Sequence, residues 1–296
     1  MRAKAIATTL GGLRVGGGCM ARCPEHDDKT PSLSIRQGRD GKVLVRCHAG
    51  CEQAAVIAAL RSRGLWDTAP ADISAKNAGH GQTSQTSANT DERKRTAFAL
   101  KLWCASGVST ETPVEVYLRS RGIWLAPPAR LKFHPRLNHC SGTHWPAMIA
   151  LVTRGKDDRP IGIHRTYLLP GGLSKAPVKP NKMMLAPCRG GTVRLGPLSA
   201  PLLIGEGIET CLSAMQATGY SAWAALSTSG LRTLELPSDV RDVIVLADGD
   251  GPGEDAAVEA AARWNLDGRR VRIARAPGGA DFNDILVSPV CDEVAL

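Results

Sequence analysis

The stretch Val243-Ile-Val-Leu-Ala-Asp248-Gly-Asp250 decides the fold, because a run of branched apolar residues ends abruptly in two acids. Such a run is typical of a buried, parallel strand. The two acids then lie at the carboxyl end of that strand, where open α/β sheets bind their ligands. Side chains two residues apart on an extended chain point to the same side, so these carboxylates repel unless a cation lies between them. Hard oxygen ligands favour Mg²⁺ or Mn²⁺, and the stretch therefore indicates a catalytic metal site.

Two further acids follow other predicted strands of the same sheet. Glu206 ends the apolar run Leu202-Leu-Ile-Gly-Glu206-Gly207, and a predicted helix begins directly after it. Asp281 comes after a later predicted strand, in a position suited to capping a helix. The sequence predicts that these acids and the first pair converge on one crevice. The alternative interpretation is a flavodoxin-like regulatory or nucleotide-binding sheet that carries its acids incidentally.

Three segments together resemble a Toprim domain: Ile204-Gly-Glu206-Gly, Leu246-Ala-Asp248-Gly-Asp250 and Ala280-Asp281-Phe-Asn-Asp284-Ile-Leu. Bacterial-type primases, type IA and type II topoisomerases and certain nucleases share that domain. The resemblance covers residues 201–287 and implies a Rossmann-like, mainly parallel sheet. It also implies that Glu206, Asp248 and Asp250 are catalytic and bind Mg²⁺ or Mn²⁺. Asp281 is implied as a further, outer ligand of that metal.

The amino-terminal region carries two pairs of candidate metal ligands, in Cys23-Pro-Glu-His26 and Cys47-His-Ala-Gly-Cys51. Thiolate and imidazole ligands held in pairs on tight turns suit tetrahedral Zn²⁺. Between the pairs, residues 31–35 and 42–46 alternate apolar and polar side chains, which predicts two strands, and a helix is predicted over 52–63. So short a segment buries little apolar surface, so the metal would contribute much of its folding energy. The alternative is a set of buried free cysteines.

This region resembles the CHC2-type zinc ribbon of bacterial and phage primases, through the stretch from Cys23 to Ser34 and the closing cysteines. The resemblance implies Cys23, His26, Cys47 and Cys51 as the structural Zn²⁺ ligands. The last pair is spaced Cys-x-x-x-Cys instead of Cys-x-x-Cys. His48 and Cys19 therefore stand as alternative ligands.

Composition favours a nucleic-acid enzyme of the cytoplasm. The net charge of +9 suits polyanionic partners, because basic side chains neutralise phosphates. Nine cysteines are an odd number, four of them are candidate metal ligands, and no secretory context is present, so no disulfide framework is expected. The first apolar run is too short for a signal peptide, and no stretch is apolar enough to cross a membrane.

The predicted fold class is α/β, with a zinc ribbon, a mixed α+β basic region and a Toprim domain. The predicted parts are a zinc-ribbon DNA-binding module over 1–67, a flexible linker over 68–92, a basic region over 93–200 and the catalytic Toprim domain over 201–296. The linker is inferred from its Ala, Ser, Thr, Gln, Asn and Gly content. In the basic region, helices are predicted over 96–106 and 113–121, and strands over 147–152 and 160–168.

A basic, glycine- and proline-rich segment over 171–182 is predicted to lie along phosphates. The candidates for contact with template or nucleotide phosphates are Arg165, Lys175, Lys179 and Lys182. Arg165 is the stronger candidate, because it lies inside an otherwise apolar strand pattern and needs a partner. The alternative is a solvated basic surface loop.

A zinc ribbon, a basic region and a Toprim domain occur in this order in bacterial-type primases. That resemblance implies a DNA primase of a mobile element, which joins ribonucleoside triphosphates on single-stranded DNA in a Mg²⁺-dependent reaction. The alternatives are a Toprim nuclease and a non-catalytic DNA-binding replication accessory protein. The sequence holds no Gly-x-x-x-x-Gly-Lys-Ser/Thr motif, so a replicative helicase would be a separate partner.

Overall fold

The structure is a computed structural model that describes residues 2–15, 17–28, 30–38, 41–66 and 81–287. The chain divides into two compact units, Met1–Gly81 and Gln82–Leu296. Within the described ranges, no helix has the length and apolar character needed to cross a membrane.

The first unit is a small antiparallel sheet with two helices. Its elements are α1 (Arg2–Thr9), β1 (Leu13–Val15), β2 (Gly18–Ala21), β3 (Leu33–Gln37), β4 (Val43–Cys47) and α2 (Gln53–Ser62). The sheet order is β1-β2-β3-β4, with antiparallel pairing throughout. Strands β3 and β4 and helix α2 lie where the sequence predicts them, whereas α1, β1 and β2 are additional. Leu33, Ile35, Val56 and Leu60 are fully buried at the centre of a single small core.

The second unit is an α/β structure built on one large sheet. Its first elements are α3 (Gly81–Ala105), α4 (Pro113–Ser120), β5 (Leu131–Asn138), β6 (His144–Arg154), β7 (Pro160–Tyr167), β8 (Lys182–Leu185) and β9 (Gly191–Arg194). The rest are β10 (Leu202–Gly205), α5 (Ile208–Thr218), β11 (Ala222–Ala224), α6 (Thr228–Thr233), β12 (Asp242–Ala247), α7 (Gly251–Leu266), β13 (Arg270–Arg275) and α8 (Phe282–Val287).

The nine-stranded sheet runs in the order β13-β12-β10-β11-β9-β6-β7-β8, and β5 pairs with β6. The pairs β13·β12, β12·β10 and β10·β11 are parallel, and the pairings of β5 to β9 are antiparallel. The predicted α/β fold, with a parallel sheet over residues 202–275, is confirmed. The two apolar strands predicted over 147–152 and 160–168 are β6 and β7, joined by a hairpin at residues 155–159.

The boundary predicted between residues 200 and 201 does not interrupt the sheet. Strand β9 pairs with β11 through Val193 and Ala224, so the basic region and the Toprim region share one continuous sheet. Buried side chains from both regions also form a single core cluster, which includes Leu131 and Leu246. The two regions therefore fold as one body.

Helix α3 begins within the segment predicted to be a flexible linker. Residues 67–80 lie outside the described residues, but residues 81–92 belong to α3, so this part of the linker prediction is wrong. From Gln82 to Ala105 the sequence contains neither proline nor glycine, and nothing therefore interrupts the helix. Its later turns pack on the sheet, where Ala99 is fully buried.

Candidate functional site

The acids of the Toprim region lie at the carboxyl edge of the parallel strands. Glu206 follows β10 and Asp248 follows β12, and these two strands are direct neighbours with Ile204 opposite Val245. Adjacent parallel strands end on the same side of the sheet, so both carboxylates belong to one edge. Both side chains are partly buried. The sequence-derived placement of this pair therefore agrees with the structure.

Gly249 brings the loop that contains Asp281 against the loop that contains Asp248. Its N–H donates to the carbonyl of Ala280 at 2.8 Å, and its own carbonyl accepts from Gly279 N–H at 2.8 Å. A Cβ at position 249 would lie 2.1 Å from the Pro277 carbonyl oxygen, which is far inside contact distance. Only glycine fits this close approach of two backbones. The glycine of the Asp-Gly-Asp motif is thus required by backbone packing, and the two acids flank it.

The acids destabilise one another's charged forms. Burial, followed by the charges of Asp248 and Asp250, raises the pKa of Glu206 to about 7. Burial, followed by the charges of Asp281 and Asp250, raises the pKa of Asp248 to about 6. The buried Oδ1 of Asp248 also has no hydrogen-bond partner. A bound cation would relieve this repulsion and would satisfy that oxygen.

Asp250 and Asp281 each cap a helix in addition to facing the other acids. Asp250 Oδ1 accepts from Gly253 N–H at 2.7 Å, at the start of α7. Asp281 Oδ1 accepts from the N–H groups of Asn283 and Asp284, both at 2.8 Å, at the start of α8. Helix capping explains why acids occupy these two positions even without a metal. Their role as metal ligands stays a prediction.

The four acids do not form a compact ligand set. Within the described parts of the chain, the group of three or more Cys, His, Asp or Glu side chains arranged to hold a metal is the cysteine–histidine cluster of the first unit. The Toprim acids are close enough for the charges of Asp248 and Asp250 to raise the pKa of Glu206, but they are not part of such a group. The carboxylates lie at one edge of the sheet, but among the described residues no three of them meet at one metal-binding point.

Two of the four predicted phosphate-binding residues contact a buried acid that the sequence interpretation missed. Lys182 Nζ lies 3.0 Å from Glu209 Oε2, and Lys175 Nζ lies 3.6 Å from Glu209 Oε1. Lys182 begins strand β8, so it is not part of a solvated loop. Its charge opposes the upward pKa shifts of Glu206 and Asp248.

The other two predicted residues differ from this pair. Lys179 is exposed. Arg165 is half-buried on β7, where it donates to Tyr167 Oη at 3.3 Å and to the Met184 carbonyl at 3.2 Å. Arg165 thus has the partner that its place in an apolar strand requires. Its Nε is buried without a partner.

Three buried polar residues were not among the site residues predicted from the sequence: Tyr117, His164 and Glu209. Glu209 lies in the first turn of α5, and its only sequence signal is an acid inside an otherwise apolar helix face. Tyr117 Oη donates to Glu209 Oε1 at 2.6 Å, although the two residues are 92 positions apart. Burial, followed by the charge of Lys182, lowers the pKa of His164 to about 4.

The first unit gathers the four predicted Zn²⁺ ligands. One ligand atom from each of Cys23, His26, Cys47 and Cys51 lies within 4.8 Å of all the others. His26 Nδ1 lies 3.1 Å from Cys51 Sγ and 4.0 Å from Cys47 Sγ. Three sulfurs and one imidazole are a donor set that suits tetrahedral Zn²⁺. The alternative ligands named from the sequence are not part of this group.

Asp28 supports the cluster and was not predicted from the sequence. Its Oδ1 lies 3.6 Å from Nε2 of His26, the ring nitrogen that faces away from the sulfurs. Its Oδ2 accepts from Cys23 N–H at 2.6 Å and from the Ser32 hydroxyl at 2.7 Å. A carboxylate behind a ligating histidine fixes the orientation of the ring. Asp28 thus holds two of the ligand segments in place.

Family models match two parts of the chain. Residues 201–289 match a Toprim domain, and residues 93–195 match a domain of unknown function, DUF7146. None of the curated protein sequences matches this chain.

Solved structures of primases show a distant similarity. A DnaG catalytic core is 19% identical with a TM-score of 0.43, over 67% of this chain and 73% of that chain. The Aquifex aeolicus primase, with its zinc-binding and RNA polymerase domains, is 16% identical with a TM-score of 0.44, over 96% and 79%. The RNA polymerase domain of Mycobacterium tuberculosis primase DnaG is 16% identical with a TM-score of 0.32, over 57% and 56%.

Residues 201–289 are therefore a Toprim domain, as the sequence predicts. The same chain carries a cysteine–histidine cluster of zinc type in its first unit. Both features occur in this one chain, in the order that the sequence predicts.

Proposed function

We propose that this chain is a DNA primase, which joins ribonucleoside triphosphates into short primers on single-stranded DNA. The observation that carries the proposal is the pair of carboxylates, Glu206 and Asp248, at the ends of two adjacent parallel strands of a Toprim sheet. The charge of Lys182 acts on both of them. Acids of this kind, with an ammonium group next to them, suit a reaction that handles a cation and phosphates together.

The residues fit a divalent cation. Their donors are carboxylate oxygens, which Mg²⁺ and Mn²⁺ prefer, and Asp248 Oδ1 is a buried oxygen without a partner. Glu206, Asp248 and Asp250 would hold the ion, with Asp281 as an outer ligand. When bound, the ion supplies charge stabilisation at the attacking and leaving oxygens of phosphoryl transfer.

The protein's own side chains would bind and orient the reactants. Lys182 would bind phosphate oxygens as a point charge next to the acids. Glu206, with a pKa near 7, can hold a proton on its carboxylate or release it at neutral pH. The zinc module would engage the template strand. The helicase partner, the cytoplasmic location and the mobile-element origin remain predictions.

The test is incubation of the full chain with labelled single-stranded DNA, Mg²⁺ and Zn²⁺, with and without ribonucleotides. We expect nucleotide-dependent synthesis of short products, and we expect Glu206→Gln and Asp248→Asn to abolish it without unfolding the protein. Asp239→Asn, an exposed acid in a loop before β12, is the matched control and should retain synthesis.

Other outcomes identify the alternatives. Metal-dependent cleavage of the DNA without nucleotides would replace the primase with a Toprim nuclease. DNA binding with neither synthesis nor cleavage would indicate a replication accessory protein. Synthesis retained by Asp248→Asn would refute the assignment of the acids.

A further inference from the structure

Glu209 is a charged side chain in the interior of the second unit. Only 4% of its surface is exposed, yet it contacts three polar groups from three other segments. Tyr117 Oη of α4 donates to it at 2.6 Å, Lys182 of β8 lies at 3.0 Å and Lys175 lies at 3.6 Å. A buried carboxylate without such partners would cost several kcal/mol, so this set of contacts is what keeps the charge in place.

The cluster has more positive than negative charge. Burial alone would raise the pKa of Glu209, but the ammonium groups of Lys182 and Lys175 hold that pKa well below its usual range. One carboxylate thus faces two ammonium groups. Each lysine also remains partly open to solvent, with 36% of the Lys182 side chain and 32% of the Lys175 side chain exposed. Both can therefore bind a second anion while they contact Glu209.

The cluster lies next to the acidic edge of the sheet. Glu209 is in the first turn of α5, and Glu206 lies between the end of β10 and the start of that helix. Lys182 is paired in register with Thr166 on β7, so its backbone is fixed by the sheet. The Lys182 charge reaches both Glu206 and Asp248. An anion held by the lysines would thus lie beside a cation held by the acids.

We propose that Glu209 is a positioning residue, which with the Tyr117 hydroxyl orients Lys175 and Lys182 to bind the phosphates of a nucleoside triphosphate beside the acids. The inference rests on the proposed function and adds to it how the phosphate-binding lysines are held. Two ammonium groups fixed on one carboxylate form a compact site, which favours the dense charge of a triphosphate over the spaced phosphates of a nucleic-acid strand.

The decisive variant is Glu209→Gln, because the loss of its negative charge and the loss of its positioning role predict opposite changes in ATP affinity. The substitution keeps the shape and removes a negative charge, so a purely electrostatic effect would tighten the binding of an anion. Loss of positioning would weaken it, because the lysines would lose the acceptor that orders them. Tyr117→Phe is the second variant, since it removes one hydroxyl without changing the charge. Glu235→Gln, from an exposed ion pair with Lys156 at 3.5 Å, is the matched control.

The experiment measures the affinity of each full-length, zinc-loaded protein for ATP in the presence of Mg²⁺ by calorimetry, together with its unfolding temperature. A single-stranded oligonucleotide, followed by fluorescence anisotropy, is the second probe. We expect Glu209→Gln to weaken ATP binding by about tenfold or more, Tyr117→Phe by about threefold, and Glu235→Gln to leave it unchanged. Affinity for Mg²⁺ alone and for the oligonucleotide should change much less.

Several results would overturn the inference. Unchanged or tighter ATP binding by folded Glu209→Gln would show that the residue does not position the lysines. A loss confined to the oligonucleotide would assign the lysines to nucleic-acid phosphates. If Glu209→Gln does not fold, unchanged ATP binding by Tyr117→Phe would overturn the inference in its place. Absence of ATP binding by the unmodified protein would instead count against the proposed function itself.

Discussion

The two units hold their candidate metal ligands in opposite ways. In the first unit, the ligand atoms of Cys23, His26, Cys47 and Cys51 already lie within 4.8 Å of one another. In the Toprim region, Glu206 and Asp248 lie at the same edge of the sheet, and the charge of Asp248 raises the pKa of Glu206. Among the described residues, these acids do not belong to a preformed group of three or more metal ligands. The first arrangement suits an ion that is part of the fold. The second suits an ion that is needed for the reaction but not for folding.

A second contrast lies within the Toprim region, between Glu206, which precedes helix α5, and Glu209, which lies in its first turn. Glu206 has its pKa raised by burial and by other acids, whereas the lysines around Glu209 keep its pKa low despite greater burial. Glu209 is therefore a permanent charge, and Glu206 changes protonation near neutral pH. The permanent charge of Glu209 suits the positioning of other groups. The titratable carboxyl of Glu206 suits the binding and release of a cation or a proton.

Removal of zinc should have the largest effect, and it should be confined to the first unit. The core of that unit is small, so we expect chelation, or Cys47→Ser, to unfold it, a loss on the order of 10 kcal/mol of apparent binding energy. Hydrogen exchange followed by mass spectrometry should show loss of protection in β3, β4 and α2. The large sheet of the second unit should keep its protection.

The matched control is Cys104→Ser, which changes an exposed cysteine of α3. That variant should bind zinc and resist exchange like the unmodified protein. Equal protection of the first unit with and without metal would contradict the contrast, because the cluster would then be a set of ordinary core cysteines.

Gly249→Ala should be the next largest perturbation. The new Cβ would lie 2.1 Å from the Pro277 carbonyl, so the loops bearing Asp248 and Asp281 must separate. We expect a loss of about 2 kcal/mol in the free energy of unfolding by urea, together with weaker Mg²⁺ binding. Gly251→Ala, where nothing lies within 4 Å of the added Cβ, should cost far less. Equal stability of the two variants would refute the packing account of the Asp-Gly-Asp loop.

Substitutions at Asp250 should have the smallest effect on stability and should separate its two roles. Asp250→Ala removes the N-cap of α7 and should cost about 1 kcal/mol in thermal unfolding. Asp250→Asn retains a capping oxygen and should restore most of that stability. If Asp250 is also a metal ligand, Asp250→Asn should still bind Mg²⁺ more weakly than the unmodified protein. Unchanged Mg²⁺ affinity would leave Asp250 with the capping role alone.

The parts of the fold that the sequence predicts are those with strong local patterns. The apolar run before Asp248 and the alternating strand–helix order lead to a parallel sheet with acids at its edge. The paired ligands in Cys23-Pro-Glu-His26 and Cys47-His-Ala-Gly-Cys51 likewise define a zinc-type cluster. Strands of three or four residues, such as β1 and β2, are too short to show a period, and the polar start of α3 has no apolar face to reveal it.

The parts of the site that the sequence does not predict depend on long-range contacts. Tyr117 and Glu209 meet only because α4 and α5 pack on the same core, 92 positions apart. Asp28 approaches His26 because of the conformation of the turn that joins them, and no motif in the sequence indicates this contact. Lys175 and Lys182 are visible as basic residues in the sequence, but their common partner is not. Residue type thus predicts the chemistry, and tertiary packing determines which groups act together.

The central claim is that Glu206 and Asp248 hold a divalent cation, and a titration of the zinc-loaded protein with Mn²⁺, followed by electron paramagnetic resonance, tests it most directly. Protons compete with the metal while these carboxyls, with pKa values of about 7 and about 6, are protonated. The account predicts that Mn²⁺ affinity rises from about pH 5.5 to about pH 8 and falls about tenfold or more in Asp248→Asn. An affinity that depends neither on pH in this range nor on Asp248 would contradict it.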